Sequence, residues 1–93
     1  MGFYLKDPGA RIDYTVDWAA GYLAGDTIAA SVWIVAPEEP GGIAVDGAAS
    51  EAGRASATLQ GGIPGHVYRV TNRVTLTSGR IEERALSIRV DER

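Results

Sequence analysis

The stretch VYRVTNRVTLTSGRIEERALSIRV, residues 67–90, decides the fold of this 93-residue chain. Apolar and polar residues alternate along both halves, which meet at Thr77-Ser78-Gly79. A period of two is typical of strands that bury one face, and a short glycine-containing break between two such runs indicates a hairpin. The sequence therefore predicts a long antiparallel hairpin as the centre of a sheet.

The loop of this hairpin sets the register of its strands. A two-residue loop, Ser78-Gly79, would place Val70 opposite Ser87 and mix apolar with polar faces. A three-residue loop places Val70 opposite Leu86 and keeps the apolar faces together. We therefore predict the three-residue loop, with Gly79 at positive φ.

Four further segments show strand patterns between Gly, Pro or Asp turn signals, at residues 12–18, 26–35, 43–45 and 54–60. The second has apolar residues on both faces, so we expect it to be central or covered on both sides. Between the first two, residues 19–25 are interpreted as a loop in preference to a short helical turn. The core expected between the sheets comprises Tyr14, Val16, Ile28, Val32, Ile34, Val70, Leu86 and Ile88.

These patterns predict an all-β fold, an Ig-like (fibronectin III-like) β-sandwich of roughly seven strands. A small barrel is the alternative. Tyr68 follows Pro64-Gly65 at the start of a long strand, where such sandwiches place a corner tyrosine. The length suits one domain, which we place at residues 10–93 after an N-terminal arm at residues 1–9.

The arm contains three consecutive apolar residues, Phe3-Tyr4-Leu5, before the turn signal Asp7-Pro8-Gly9. Exposed on a monomer, they would be a liability, whereas against a partner they would supply anchor contacts. The alternative is that the arm folds back on its own sandwich as an added edge strand. We predict that Phe3, Tyr4 and Leu5 bind a partner.

Composition argues against most site chemistry. The chain has no cysteine, one histidine and a formal net charge of −3, which disfavours thiolate or zinc sites, a histidine-based triad and nucleic-acid binding. No apolar run approaches the ~20 residues of a membrane helix. We therefore expect no catalytic residues, no cofactor, no metal and no membrane partner; calcium at a gathering of acidic residues is disfavoured (Asp7, Asp26, Glu38, Glu39 and Asp46).

An ordered set of residues resembles a family of small tailed-phage and prophage virion proteins, the phage fiber-tail adaptor proteins. The likeness spans nearly the whole chain. It is carried by Tyr4-Leu5-Lys6-Asp7-Pro8, Asp13-Tyr14, Asp17-Trp18, Gly25-Asp26-Thr27-Ile28, Ser31, Trp33, Tyr68-x-Val70-Thr71-Asn72, Gly79-Arg80, Glu83-Arg84 and Ile88-x-Val90.

The resemblance implies a non-enzymatic virion component that links tail or neck and fibers through protein–protein contacts. It implies several copies around a symmetric axis, made in the bacterial host cytoplasm. The alternatives are a capsid decoration protein and a carbohydrate-binding Ig-like adhesion module, which would use Tyr22 or a loop tryptophan for stacking. Burial in the core is the preferred role for Trp18 and Trp33.

Overall fold

Seven strands in two sheets form the described part of the protein. The computed structural model describes residues 2–20 and 25–91. The strands are β1 (Gly2–Lys6), β2 (Ile12–Asp17), β3 (Ile28–Ala36), β4 (Ala44–Ser50), β5 (Arg54–Gln60), β6 (Val67–Leu76) and β7 (Ile81–Val90). One sheet has the order β1-β7-β6-β3 and the other β2-β5-β4. The predicted β-sandwich is confirmed and the barrel alternative is wrong, whereas the Ig-like type stays a prediction.

The hairpin β6–β7 has the predicted register. Val70 lies opposite Leu86, and Tyr68 lies opposite Ile88. The loop has three residues, and Gly79, at φ 93°, donates its backbone N–H to Leu76 O at 2.9 Å. The period-two pattern decided the register because any one-residue slip would turn a buried face to solvent.

The core between the sheets has two clusters. One surrounds Tyr68 and Leu59, and the other surrounds Trp18 and Leu76. The expected core residues Val16, Val70 and Ile88 are buried, and Tyr14, Ile28 and Leu86 are half-buried against these clusters. The inward alanines of β5, Ala55 and Ala57, let the sheets approach closely.

The expected burial of Val32 and Ile34 is wrong. Their side chains are 53% and 39% exposed, because they lie on the outer face of the sheet, and β3 is an edge strand rather than a central one. The pairing of β3 with β6 shifts register between Ile28 and Ala30. Such a bulge exchanges the two faces of a strand, so Trp33 faces inward in place of Val32.

Two other segments differ from the prediction. β4 does not end at Asp46-Gly47: a register shift between Val45 and Ala48 lets it continue to Ser50. Gly47, at φ 130°, takes a conformation there that other residues rarely adopt. After β2 a short 3₁₀ turn covers Trp18–Ala20, so a helical turn does begin the segment interpreted as a loop; residues 21–24 lie outside the described residues.

Asp26 joins the start of β3 to the hairpin loop. Its carboxylate accepts hydrogen bonds from the Thr77 hydroxyl at 2.5 Å and from both the hydroxyl and the backbone N–H of Ser78. The N–H of Thr27 donates to the same carboxylate at 2.9 Å. These bonds, led by the Ser78 hydroxyl, lower the pKa of Asp26 from 3.8 to about 2.

We expect Asp26 to make stability depend on acid pH. Because its pKa is lower in the folded chain, its contribution is present above pH 3.8 and is lost as the pH falls towards about 2. The melting temperature of Asp26→Asn should therefore fall less than that of the wild type between about pH 5 and about pH 2. An unchanged slope in Asp26→Asn would contradict the assignment.

Candidate partner-binding surface

The Phe3-Tyr4-Leu5 segment belongs to β1, which pairs in parallel with β7. Tyr4 lies opposite Ile88, and Leu5 lies opposite Arg89. Of the two alternatives for the arm, the added edge strand is therefore the one that the structure shows. A parallel pair needs no tight turn, so nothing in the local sequence announces it.

Lys6 fastens β1 to the rest of the sandwich. Lys6 as a whole is 2% exposed, and its ammonium donates to Gly61 O at 2.7 Å and to Asp7 O at 2.9 Å. Burial lowers the pKa of Lys6, and the nearby Asp7 carboxylate opposes that shift. The lysine therefore holds the end of β1 against the turn after β5.

The side chains of β1 divide between the two faces of the sheet. Tyr4 points towards the other sheet, where its ring meets that of Tyr14 edge to face at a centroid distance of 5.0 Å. Leu5 points outward beside Arg89. Tyr4 and Leu5 remain 46% and 50% exposed; the side chain of Phe3 lies outside the described part of the chain.

On the outer face, Leu5 does not stand alone. Arg89 lies opposite both Leu5 on β1 and Val67 on β6, so the three residues form one row across three strands. Val67 is 50% exposed. This row, Leu5–Arg89–Val67, is called the arm surface below.

Between the sheets, Tyr4 borders a cleft of about 220 Å³. The cleft has an aromatic lining on three strands and a charged rim, formed by Tyr4, Tyr14, Thr15, Val16, Asp17, Trp33, Arg84, Ala85 and Leu86. The indole N–H of Trp33 is buried and has no hydrogen-bond partner among the described residues. Sequence reasoning missed this cleft because it depends on the unpredicted inward position of Trp33.

The two tyrosines and the tryptophan of the cleft suit ligand contacts. Burial raises the pKa of Tyr14 to about 12, and the neighbouring Tyr4 adds to the shift. Tyr14 is therefore a neutral phenol at physiological pH. A neutral phenol and an indole can donate hydrogen bonds and provide apolar area, but neither acts as a general base.

His66 has a partner that the sequence did not reveal. Its Nδ1 lies 2.8 Å from Oε1 of Glu39, and the Tyr68 hydroxyl donates to the same oxygen at 2.6 Å. The Tyr68 and His66 bonds lower the pKa of Glu39. The Tyr68 hydroxyl also accepts from Ile63 N at 3.1 Å, the bond expected of a corner tyrosine. The cluster ties the loop after β3 to the turn before β6.

Three of the five acidic residues considered for calcium have separate partners. Asp26 contacts the hairpin loop, Glu39 contacts Tyr68, and Asp46 pairs with Arg11. Within residues 2–20 and 25–91, no group of three or more histidine and carboxylate side chains is placed to hold a metal ion. The same residues include no helix with the length and apolar character needed to cross a membrane.

Comparison with known families decides the class of this protein. The chain matches the family model described as podophage GP4 fiber-tail adaptor protein gp77 over residues 6–89. It belongs to that family. The resemblance drawn from the sequence is therefore confirmed, and membership supports a structural adaptor role in a phage tail and a place in the virion. Comparison with curated proteins gives no match.

Proposed function

We propose that this protein is a non-enzymatic adaptor that links the tail or neck of a phage to its fibers, through contacts centred on β1. The observation that carries the proposal is the exposure of Leu5 and Val67 on either side of Arg89, on a strand already fixed in the sheet. Apolar side chains on a rigid strand lose little conformational entropy on binding. Several copies around the tail axis would present this surface repeatedly.

Two features support the arm surface as an anchor. Leu5 and Val67 are each 50% exposed, so packing in the core does not explain why these positions are apolar. Arg89 between them pairs with Asp91 at 3.2 Å, so its charge is balanced beside the row. An apolar centre with a polar rim is the usual anatomy of a protein–protein interface.

Because Lys6 holds β1 in the sheet, deletion of the arm is not a clean test of its binding role. Deletion of Gly2–Lys6 removes a paired strand and a buried lysine, so it should lower the melting temperature. Loss of incorporation by that variant would therefore not separate binding from folding. A single outward substitution is the cleaner test.

Leu5→Asp should leave the melting temperature close to wild type and reduce incorporation into virions at least about tenfold, the effect of losing an interface hot spot. Ile81→Asp is the matched control, because Ile81 is 61% exposed at the far end of β7 and should not change incorporation. Quantification of the protein in purified virions by mass spectrometry measures both. Normal incorporation of Leu5→Asp, or equal loss in both variants, would exclude the arm surface as the anchor.

The capsid-decoration alternative predicts co-purification with capsids that lack tails, which the same virion fractions would reveal. A glycan-binding role is not favoured by the tryptophans: Trp18 is buried, and Trp33 lies on β3 rather than in a loop. Tyr22, the other stacking residue considered, lies outside the described residues.

A further inference from the structure

We propose that the partner of the arm surface is a protein that presents an aspartate or glutamate carboxylate, and that this carboxylate pairs with Arg69. The inference rests on the adaptor role proposed above and names the chemistry of the partner. Arg69 lies on β6, two residues after Val67 and on the same outer face of the sheet. Because two residues of a strand span about 7 Å, a partner that covers Val67 also covers Arg69.

The charge of Arg69 is not balanced within the described residues. Three arginines lie on the outer face of β6 and β7, and two of them have partners. Arg73 pairs with Glu83. Arg89 pairs with Asp91. Arg69 is exposed and forms no ion pair or side-chain hydrogen bond with any residue that the structure describes. The outer face of these two strands therefore has one unbalanced positive charge, at Arg69.

The surroundings of Arg69 are small or apolar. Ser87 on β7 and Ala36 on β3 lie opposite it, so neither neighbouring strand covers its guanidinium with a large side chain. On the same face, Val67 and Ile34 are 50% and 39% exposed. Arg69 is thus a single accessible cation next to exposed aliphatic side chains.

This combination limits the chemistry of a partner. A wholly apolar partner would remove the guanidinium from water without a compensating charge, which opposes binding. A carboxylate balances the charge and matches the planar guanidinium with two parallel hydrogen bonds. A surface that fits here therefore has apolar side chains to meet Leu5 and Val67 and a carboxylate to meet Arg69.

Two other occupants fit less well. Nucleic acid is held by several cations at once, whereas the outer face of β6 and β7 offers one unpaired arginine among the described residues. A second copy bound through the same face would be related by a two-fold axis. Such a pair would bring two unpaired Arg69 side chains towards each other, and like charges repel.

Charge-removing variants test the contact. Arg69→Gln should lower incorporation into virions at least about tenfold, because it leaves the partner's carboxylate unpaired, and Arg69→Glu should lower it further by setting a like charge against that carboxylate. Arg54→Gln is the matched control: Arg54 is exposed on the outer face of the other sheet, and the variant loses the same charge. Its incorporation should match that of the wild type. All three variants should melt near the wild-type temperature, since surface substitutions of this kind change stability little.

Comparison with Leu5→Asp separates this inference from the proposed function. Loss of incorporation by Leu5→Asp with normal incorporation of Arg69→Glu would keep the arm surface and overturn the carboxylate contact. Normal incorporation of Leu5→Asp with loss by Arg69→Gln would exclude Leu5 as an anchor and support the contact at Arg69.

A carbodiimide cross-link identifies the group that meets Arg69. Arg69→Lys keeps the charge, so it should be incorporated better than Arg69→Gln, and it adds a primary amine. Lys6, the only lysine of the chain, is buried. The reagent joins an amine to a carboxylate with loss of water and without a spacer. Mass spectrometry of treated Arg69→Lys virions should therefore find the substituted position bonded to an aspartate or glutamate of another tail or fiber protein.

The control Arg54→Lys should give no bond to that protein. If Arg69→Gln is lost from virions and Arg69→Lys bonds to no carboxylate, the inference is overturned and Arg69 is directed to a phosphate group. A bond to a carboxylate of a second copy of this chain would overturn it in favour of self-association.

Discussion

Replacement of Trp18 by alanine is expected to lower the free energy of unfolding by about 4 kcal/mol. Trp18 is fully buried, and its indole N–H donates to Asn72 Oδ1 at 2.8 Å. The substitution both opens a large cavity and leaves a buried acceptor without that donor. A domain of this length has a total stability on the order of 5–15 kcal/mol, so the variant should be close to unfolded at 37 °C.

Trp33 is the internal comparison, since it is the other tryptophan in the chain. It is half-buried, and its indole N–H has no partner among the described residues. Trp33→Ala should therefore cost about half as much as Trp18→Ala. Urea unfolding followed by circular dichroism measures both variants.

Phenylalanine variants separate the hydrogen bond from the volume. Trp18→Phe removes the donor to Asn72 and should cost about 1–3 kcal/mol beyond its smaller size. Trp33→Phe removes an N–H that has no described partner, so only the change in size should count. If the two phenylalanine variants unfold at the same urea concentration, the bond between Trp18 and Asn72 does not stabilise the fold.

Asn72 shows why the residues that carry the family resemblance matter. Besides accepting from Trp18, its amide donates to Ser31 Oγ at 2.9 Å and to Val32 O at 3.1 Å. One buried side chain thus connects the turn after β2 with β6 and β3. Lys6 and Asp26 likewise join distant segments. These three family residues hold the sandwich together; of the proposed binding residues, Leu5 belongs to the same set and Val67 lies outside it.

The hairpin could be predicted because its determinants are local. Alternation fixes which face of β6 and β7 is buried, and Gly79 permits the left-handed turn between them. The buried alanines and leucine of β5 were predictable for the same reason. In each case the local sequence pattern and the tertiary structure favour the same arrangement.

The faces of β3 could not be predicted, because the cause is not local. Ala29-Ala30 carries no turn signal, yet the register against β6 shifts at this point. The shift lets Ile28 pack with the Trp18 cluster while Trp33 and Val35 pack against the core further along. When apolar residues occupy both alternating sets of positions in a strand, either set could face the core until the pairing partner is known.

Of the three residues of the arm surface, the sequence pointed only to Leu5, and partner binding by Phe3, Tyr4 and Leu5 stays a prediction. The apolar run at Phe3-Tyr4-Leu5 identified the segment, while its parallel pairing with β7 depends on a strand more than eighty residues away. The aromatic contact between Tyr4 and Tyr14 depends on the packing of two sheets. Contacts between residues so far apart along the chain produce no recognisable pattern in the sequence.

Lys6 is the residue on which the placement of β1 depends, and Lys6→Ala is expected to cost about 3 kcal/mol. The variant loses two hydrogen bonds from the ammonium, leaves Gly61 O without that donor and opens the space filled by the lysine stem. Lys6→Met keeps most of the stem and no longer buries a charge, so it should cost less, about 1–2 kcal/mol. Hydrogen exchange should show faster exchange of the β1 amides in both variants before the rest of the sandwich is affected.

Leu5→Ala, one position earlier on the same strand, is the control for this effect. Its side chain points outward and is half exposed, so the change should stay within about 0.5 kcal/mol and leave β1 protected. This contrast follows from the alternation of β1, which buries Lys6 and exposes Leu5. If Lys6→Ala unfolds at the wild-type urea concentration with slow exchange in β1, the strand is held by its backbone ladder with β7 alone. In that case Lys6 would not fix the surface proposed to meet the tail.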